Sequence, residues 1–131
     1  MTGLDTNVIL RYFVTDDADQ ACKTASLIDT LTPEEPGWIG TTVLAELIWT
    51  LRKLYRFNRV AVIAVLEVLL ASSDLILEQS ENVQRALWLY RTGKADFADC
   101  LISASAHAAG CNRIVTLDQT AARDAGMELL A

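Results

Sequence analysis

Two rhythms alternate along this chain: short apolar runs, and longer segments in which apolar positions return every three or four residues. The first short run ends at Asp5, after which Thr6 and Asn7 open a helical segment over residues 8–14. Residues 15–17 break it, and residues 19–31 predict an amphipathic helix with Ala21, Ala25, Ile28 and Leu31 close to one face. Asp16, Asp17 and Asp19 stand at its start, where the helix dipole favours negative charge. A turn-rich stretch, 33–37, leads to a second strand at Trp38-Ile39-Gly40. Thr41 or Thr42 then caps a helix whose Val43, Leu44, Leu47, Ile48, Leu51 and Leu54 form one apolar stripe. Residues 60–71 are apolar on nearly all sides, the mark of a helix deeply buried or set at a subunit interface.

Leu75-Ile76-Leu77 predicts a third strand, and residues 80–90 a helix capped by Ser80. Asp96-Phe97-Ala98-Asp99 opens the next helix, which runs to about Ala109 before Gly110 stops it. A fourth strand at 114–117 ends in Asp118, a short helix covers 119–124, and 127–130 make an edge strand. Strands alternating with helices throughout predict an α/β fold, one domain over residues 1–131, with a parallel sheet carrying helices on both faces.

Composition narrows the function classes. At 131 residues and 52% hydrophobic, the chain is long and apolar enough for its own core. The run 60–71 is too short to cross a bilayer, and the start lacks the charged head and apolar run of a signal peptide, so a cytoplasmic protein is expected. Cys22, Cys100 and Cys111 lack metal-type spacing and are expected to be small buried hydrophobes. His107, the single histidine, reads as a core or solvated side chain rather than half of a nucleophilic pair. A net charge of −6 argues against nucleic-acid binding through bulk charge, but not against a local basic patch. One such segment exists, Arg52-Lys53-Leu54-Tyr55-Arg56-Phe57-Asn58-Arg59. It could track an RNA backbone, contact a partner, or be a solvated helix end. Trp49 lies opposite the Leu47 stripe, where a core helix has no use for it.

The candidate chemistry is acidic. Asp5 ends the first strand and Asp118 the fourth, and ligands of open α/β sheets bind beyond such carboxyl ends. Asp99 is the third residue after Asp96, and Glu46 lies at the edge of an apolar stripe, with Thr42 and Thr50 four residues to either side. Each has a plainer reading: Asp5 and Asp96 as N-caps, Asp99 as a first-turn acid, Glu46 as a solvated flank. Their equivalent topological positions are what favour one shared crevice. Two carboxylates about 4 Å apart repel by roughly 4 kcal/mol at an effective dielectric near 20. A group of four must therefore protonate, pair with a base or hold a cation. Oxygen ligands without His or Cys suit Mg²⁺ or Mn²⁺, ions that promote hydrolysis at phosphorus.

Leu4-Asp5-Thr6-Asn7, Ala45-Glu46-Leu47, Asp96-Phe97-Ala98-Asp99 and Thr116-Leu117-Asp118 together resemble the PIN-domain nucleases. Size and motif order look most like the toxin half of VapBC-type toxin–antitoxin modules. The resemblance implies a five-stranded parallel sheet and a Mg²⁺- or Mn²⁺-dependent endoribonuclease acting on structured RNA, with tRNA or rRNA typical. It makes Asp5, Glu46, Asp99 and Asp118 the catalytic, metal-holding quartet, with Asp5 and Asp99 as metal ligands and the other two shaping the site and helping to activate water. Asp96 is an accessory acid, and Thr6, Asn7 and Thr116 would support the carboxylates by hydrogen bonds. The segment after Asp118, Gln119-Thr120-Ala121-Ala122, departs from the aspartate-phenylalanine pattern of relatives. The resemblance also implies a homodimer and a small antitoxin over the acidic cleft, for which Trp49, Arg52, Lys53, Arg56 and Arg59 offer contact material.

Two rivals stand beside this reading. A receiver-like signalling domain also has an acidic, magnesium-binding pocket, but it wants paired acids after the first strand and a late lysine, where this chain has only Asp5 and then Asp118. A PIN-like nuclease acting on DNA, or in RNA processing without a toxin role, would carry the same acids.

Overall fold

The computed structural model describes residues 1–131, which divide into two compact units, 1–78 and 79–131. In the first, β1 (Thr2–Gly3) leads through α1 (Thr6–Phe13) and α2 (Ala18–Thr30) to β2 (Gly37–Ile39). From there α3 (Thr41–Lys53) and α4 (Arg59–Ala71) lead to β3 (Leu75–Leu77). All three strands are parallel, with β2 in the middle and Trp38 opposite both Gly3 and Ile76. Parallel neighbours need a long crossover, and two helices fill each of these. Gly37 is closely approached: a Cβ there would lie 2.7 Å from Leu4 Cδ1 and 3.0 Å from methyls of Leu31 and Leu75, so those leucines would have to shift.

The helices follow their apolar stripes. Leu44, Leu47, Ile48 and Leu51 of α3 are buried, as are Val62, Val65, Leu66 and Leu69 of α4. Leu54 departs from the stripe; it lies past the last turn of α3 and is 66% exposed. Nor is α4 buried all round, for Val60 is 75% exposed and Val68 is exposed one face away from the buried row. The capping acid of α2 is Asp17, whose carboxylate accepts the Gln20 backbone N–H at 3.0 Å. Asp17→Ala is expected to lower stability by about 1 kcal/mol, checked by urea unfolding of the two proteins.

The second unit holds α5 (Ser80–Thr92), α6 (Phe97–Ala108), β4 (Val115–Thr116), α7 (Gln119–Asp124) and β5 (Glu128–Leu129). Helices α5 and α6 pack on each other, joined by an edge-to-face contact of Tyr90 and Phe97 with ring centroids 5.8 Å apart. The turn between them is fastened by Asp124, whose carboxylate accepts the Lys94 backbone N–H at 2.9 Å. Gly110, at φ +94°, ends α6 in the left-handed conformation that glycine adopts without strain.

Several expectations are corrected. The sheet is not a five-stranded ladder: β1, β2 and β3 form one parallel sheet, and β4 and β5 pair in parallel as a separate two-stranded sheet. The outer apolar runs yield only two ladder residues apiece in β1, β4 and β5, too few to extend a continuous sheet. Helix α3 is preceded by Gly40 and capped from a distance, not by Thr41 or Thr42. Helix α5 starts after Gln79, so Ser80 is its first residue and not its cap. Cys100 is buried, but Cys22 and Cys111 are exposed. No helix is long and apolar enough to cross a membrane.

Candidate active site

Asp5 leaves β1 behind buried Leu4 and takes the N-cap position of α1, its extended backbone (φ −80°, ψ 162°) turning the chain into the helix. Its carbonyl accepts the N–H groups of Val8 and Ile9, at 3.1 and 3.3 Å. Its carboxylate makes no cap hydrogen bond and faces water. A capping aspartate spends an oxygen on the N2 or N3 amide, which this side chain does not do. Thr6 follows, only 6% exposed, and its hydroxyl has no hydrogen-bond partner. An orphaned buried hydroxyl costs about 1–3 kcal/mol, and this one makes none of the hydrogen bonds to a carboxylate that the family resemblance implies for Thr6.

Glu46 is exposed on α3 and shares a groove with Thr6, Asn7, Trp49 and Tyr55. The amide of Thr41, at the head of that helix, donates to Glu78 Oε1 at 2.8 Å. Glu78 thus supplies an acceptor at the head of the helix that carries Glu46, a contact that the sequence reading missed. Its one signal was an acid directly after a strand, the same placement that drew notice to Asp5 and Asp118.

In the second unit Asp96 is the N-cap residue of α6, yet its side chain makes no cap bond either. Asp99, in the first turn, is half-buried. Burial raises its pKa above the ordinary aspartate range, and the carboxylates of Asp96 and Asp118 push in the same direction. These three acids therefore lie within electrostatic reach of one another. Asp118 does cap: it accepts the Ala121 N–H at 2.9 Å and starts α7. Thr116 supports that turn rather than a carboxylate, its hydroxyl accepting the Asp118 backbone N–H at 3.0 Å. The quartet is thus divided, with Asp5 and Glu46 in residues 1–78 and Asp99 and Asp118 in residues 79–131.

No three His, Cys, Asp or Glu side chains stand close enough together to form a ready metal cage. The donor chemistry fits a hard divalent ion nonetheless: every candidate ligand is a carboxylate, and the charge on Asp99 is opposed by two like charges.

The basic segment resolves into different parts. Arg52 is half-buried and donates from Nη1 to the Phe57 carbonyl at 3.1 Å, so it closes the end of α3. Lys53 is exposed, Arg56 is exposed at the left-handed turn (φ +56°), and half-buried Arg59 opens α4. Arg11 and Tyr55 form a network that local sequence did not suggest. Arg11 is ion-paired with Asp16, and donates to Gln20 Oε1 at 2.8 Å and to the Tyr55 hydroxyl at 3.2 Å. That hydroxyl donates to the other Asp16 oxygen at 2.9 Å.

No curated protein matches the chain. The PIN domain family profile matches residues 4–126, which takes in Asp5, Glu46, Asp99 and Asp118. With an α/β chain of seven helices, parallel strands and carboxylates at the ends of β1 and β4, that match over nearly its whole length shows that the protein belongs to the PIN domain family.

Proposed function

We propose that this protein is a divalent-metal-dependent endoribonuclease that cuts structured RNA, tRNA or rRNA, as the toxin of a VapBC-type toxin–antitoxin pair. PIN domains are generally nuclease folds and typically use divalent metals, which supports hydrolysis of a phosphodiester. The observation that carries the reading is the PIN family match over residues 4–126, which takes in Asp5, Glu46, Asp99 and Asp118. The receiver-like alternative loses its footing with the family match.

Asp5, Glu46, Asp99 and Asp118 are the residues that would hold Mg²⁺ or Mn²⁺. Such an ion, when bound, supplies the charge neutralisation and water activation that attack at phosphorus needs. In this reading Glu46 and Asp118 would shape the site and help to activate water, Asp118 with the oxygen that is not committed to the α7 cap. Thr6 and Asn7, on either side of the turn into α1, line the same groove as Glu46.

A homodimer and a small antitoxin belong to the same proposal. The exposed Val60 and Val68 on α4 supply apolar surface for such contacts. A cytoplasmic setting is assumed with it.

Purified protein is expected to cleave RNA with Mg²⁺ or Mn²⁺ and to stop on addition of EDTA. Undiminished cleavage in EDTA would overturn the metal assignment, and preferential cleavage of DNA would overturn the substrate. Growth arrest on expression, relieved by Asp5→Asn, separates a toxin from a processing nuclease.

A further inference from the structure

One face of α3 is left outside the core. Glu46, Trp49 and Lys53 are spaced by three and four residues, so they stand in one row along the helix, and all three are exposed. The rise from Glu46 to Lys53 is about 10 Å. Trp49, in the middle, is 57% exposed. An indole left so open forgoes much of the burial that makes tryptophan valuable in a core. Beside this row runs a groove of about 460 Å³, lined by Thr6, Asn7, Arg11, Leu54 and Tyr55 together with Glu46 and Trp49. Its wall is rigid, because the Tyr55 hydroxyl is held by both Arg11 and Asp16. The chain carries a net charge of −6, yet the exposed cations Lys53 and Arg56 directly flank the groove residues Leu54 and Tyr55 in the chain.

We infer that this groove is a nucleotide subsite, in which the Trp49 indole stacks on an unpaired RNA base while Lys53 and Arg56 hold the adjoining phosphates. It rests on the nuclease reading and deepens it by naming what the protein recognises: an unstacked base in a loop or single strand, next to the Glu46 carboxylate. Base stacking on an aromatic face is tolerant of sequence, and cations flanking the groove residues suit a polyanionic backbone. The row therefore has an order, acid then aromatic then base, that matches a nucleotide lying along α3. A purely apolar partner would have no use for Lys53 in it.

The test measures binding apart from cleavage. A short single-stranded oligouridylate and a blunt-ended, fully paired RNA duplex are titrated in EDTA by fluorescence anisotropy, against wild type and single variants. Trp49→Ala is expected to weaken oligouridylate binding by about 5- to 150-fold, the loss that removing one stacked base produces. Trp49→Phe, which keeps a stacking face, retains affinity within about threefold. Lys53→Ala lowers the slope of log affinity against log salt by about 0.7, one phosphate contact on a single strand. The duplex is bound more weakly than the single strand and is insensitive to Trp49→Ala. Equal oligouridylate binding by wild type and Trp49→Ala overturns the subsite, as does a loss of affinity confined to a protein partner, which would make the groove a protein dock. Since no step requires cleavage, failure of the nuclease proposal leaves this result readable, and intact cleavage with Trp49-independent binding removes the subsite alone.

Discussion

Asp99→Asn is expected to reduce RNA cleavage by at least about a hundredfold while raising thermal stability slightly at neutral pH. The two effects have one origin. In the folded protein the Asp99 carboxyl binds its proton more tightly than in the unfolded chain, first because it is half-buried and then because Asp96 and Asp118 are negative. A group whose folded pKa is raised destabilises the fold when ionised, so the penalty is full above that pKa and fades as pH falls to the ordinary aspartate range. Its place in the first turn of α6 works the other way, by about 0.3–1 kcal/mol through the helix dipole, which keeps the expected gain small. Asparagine keeps the shape and removes the charge. Melting in EDTA should therefore show the variant a few degrees above wild type at pH 7, with the gap closing toward about pH 4. Adding Mg²⁺ should raise the wild-type melting temperature and leave the variant nearly unmoved. Cleavage by Asp99→Asn at the wild-type rate, or a variant that melts far below wild type, would remove Asp99 from the site.

The largest expected effect on folding comes from α3. Leu51 is 0% exposed and sits on the buried row with Leu44, Leu47 and Ile48. Leu51→Ala removes packed methyls and leaves a cavity, a loss of about 2–5 kcal/mol. Small domains are stable by only about 5–15 kcal/mol in all, so a fall of roughly 10–20 °C in melting temperature is expected, read by calorimetry. Trp49, two residues earlier on the other side of the helix, is the control: its truncation should change stability by less than about 0.5 kcal/mol. A comparable drop for both would show that α3 is not divided into a buried and a free face.

That division was readable from spacing alone, as were many of the elements. The bounds of β3 and α7, and the end of α4, coincide with the apolar runs and their breaks. The acids at the ends of β1 and β4 were legible because a strand that stops at an aspartate leaves a local trace. What spacing could not show was anything held across long stretches of chain. Glu78 caps α3 from 37 residues away, and Arg11 reaches Tyr55 over 44. The extent of the sheet was likewise hidden, since an apolar run of four residues does not say how many of them find a partner. Residues 114–117 contribute only two. Nor does composition tell a buried cysteine from an exposed one: Cys22 lies on the outer side of α2, and Cys111 follows the glycine that ends α6.

Strands this short also carry a benefit. Unpaired peptide groups along a sheet margin invite another chain to add itself, and long flat margins are where misassembly and fibre growth begin. Here no ladder exceeds three residues, and Gly3 and Gly37 give two of the strands little side chain with which to grip an intruder. A sheet of that length can hold acids at its rim while offering almost no template for self-association through the backbone.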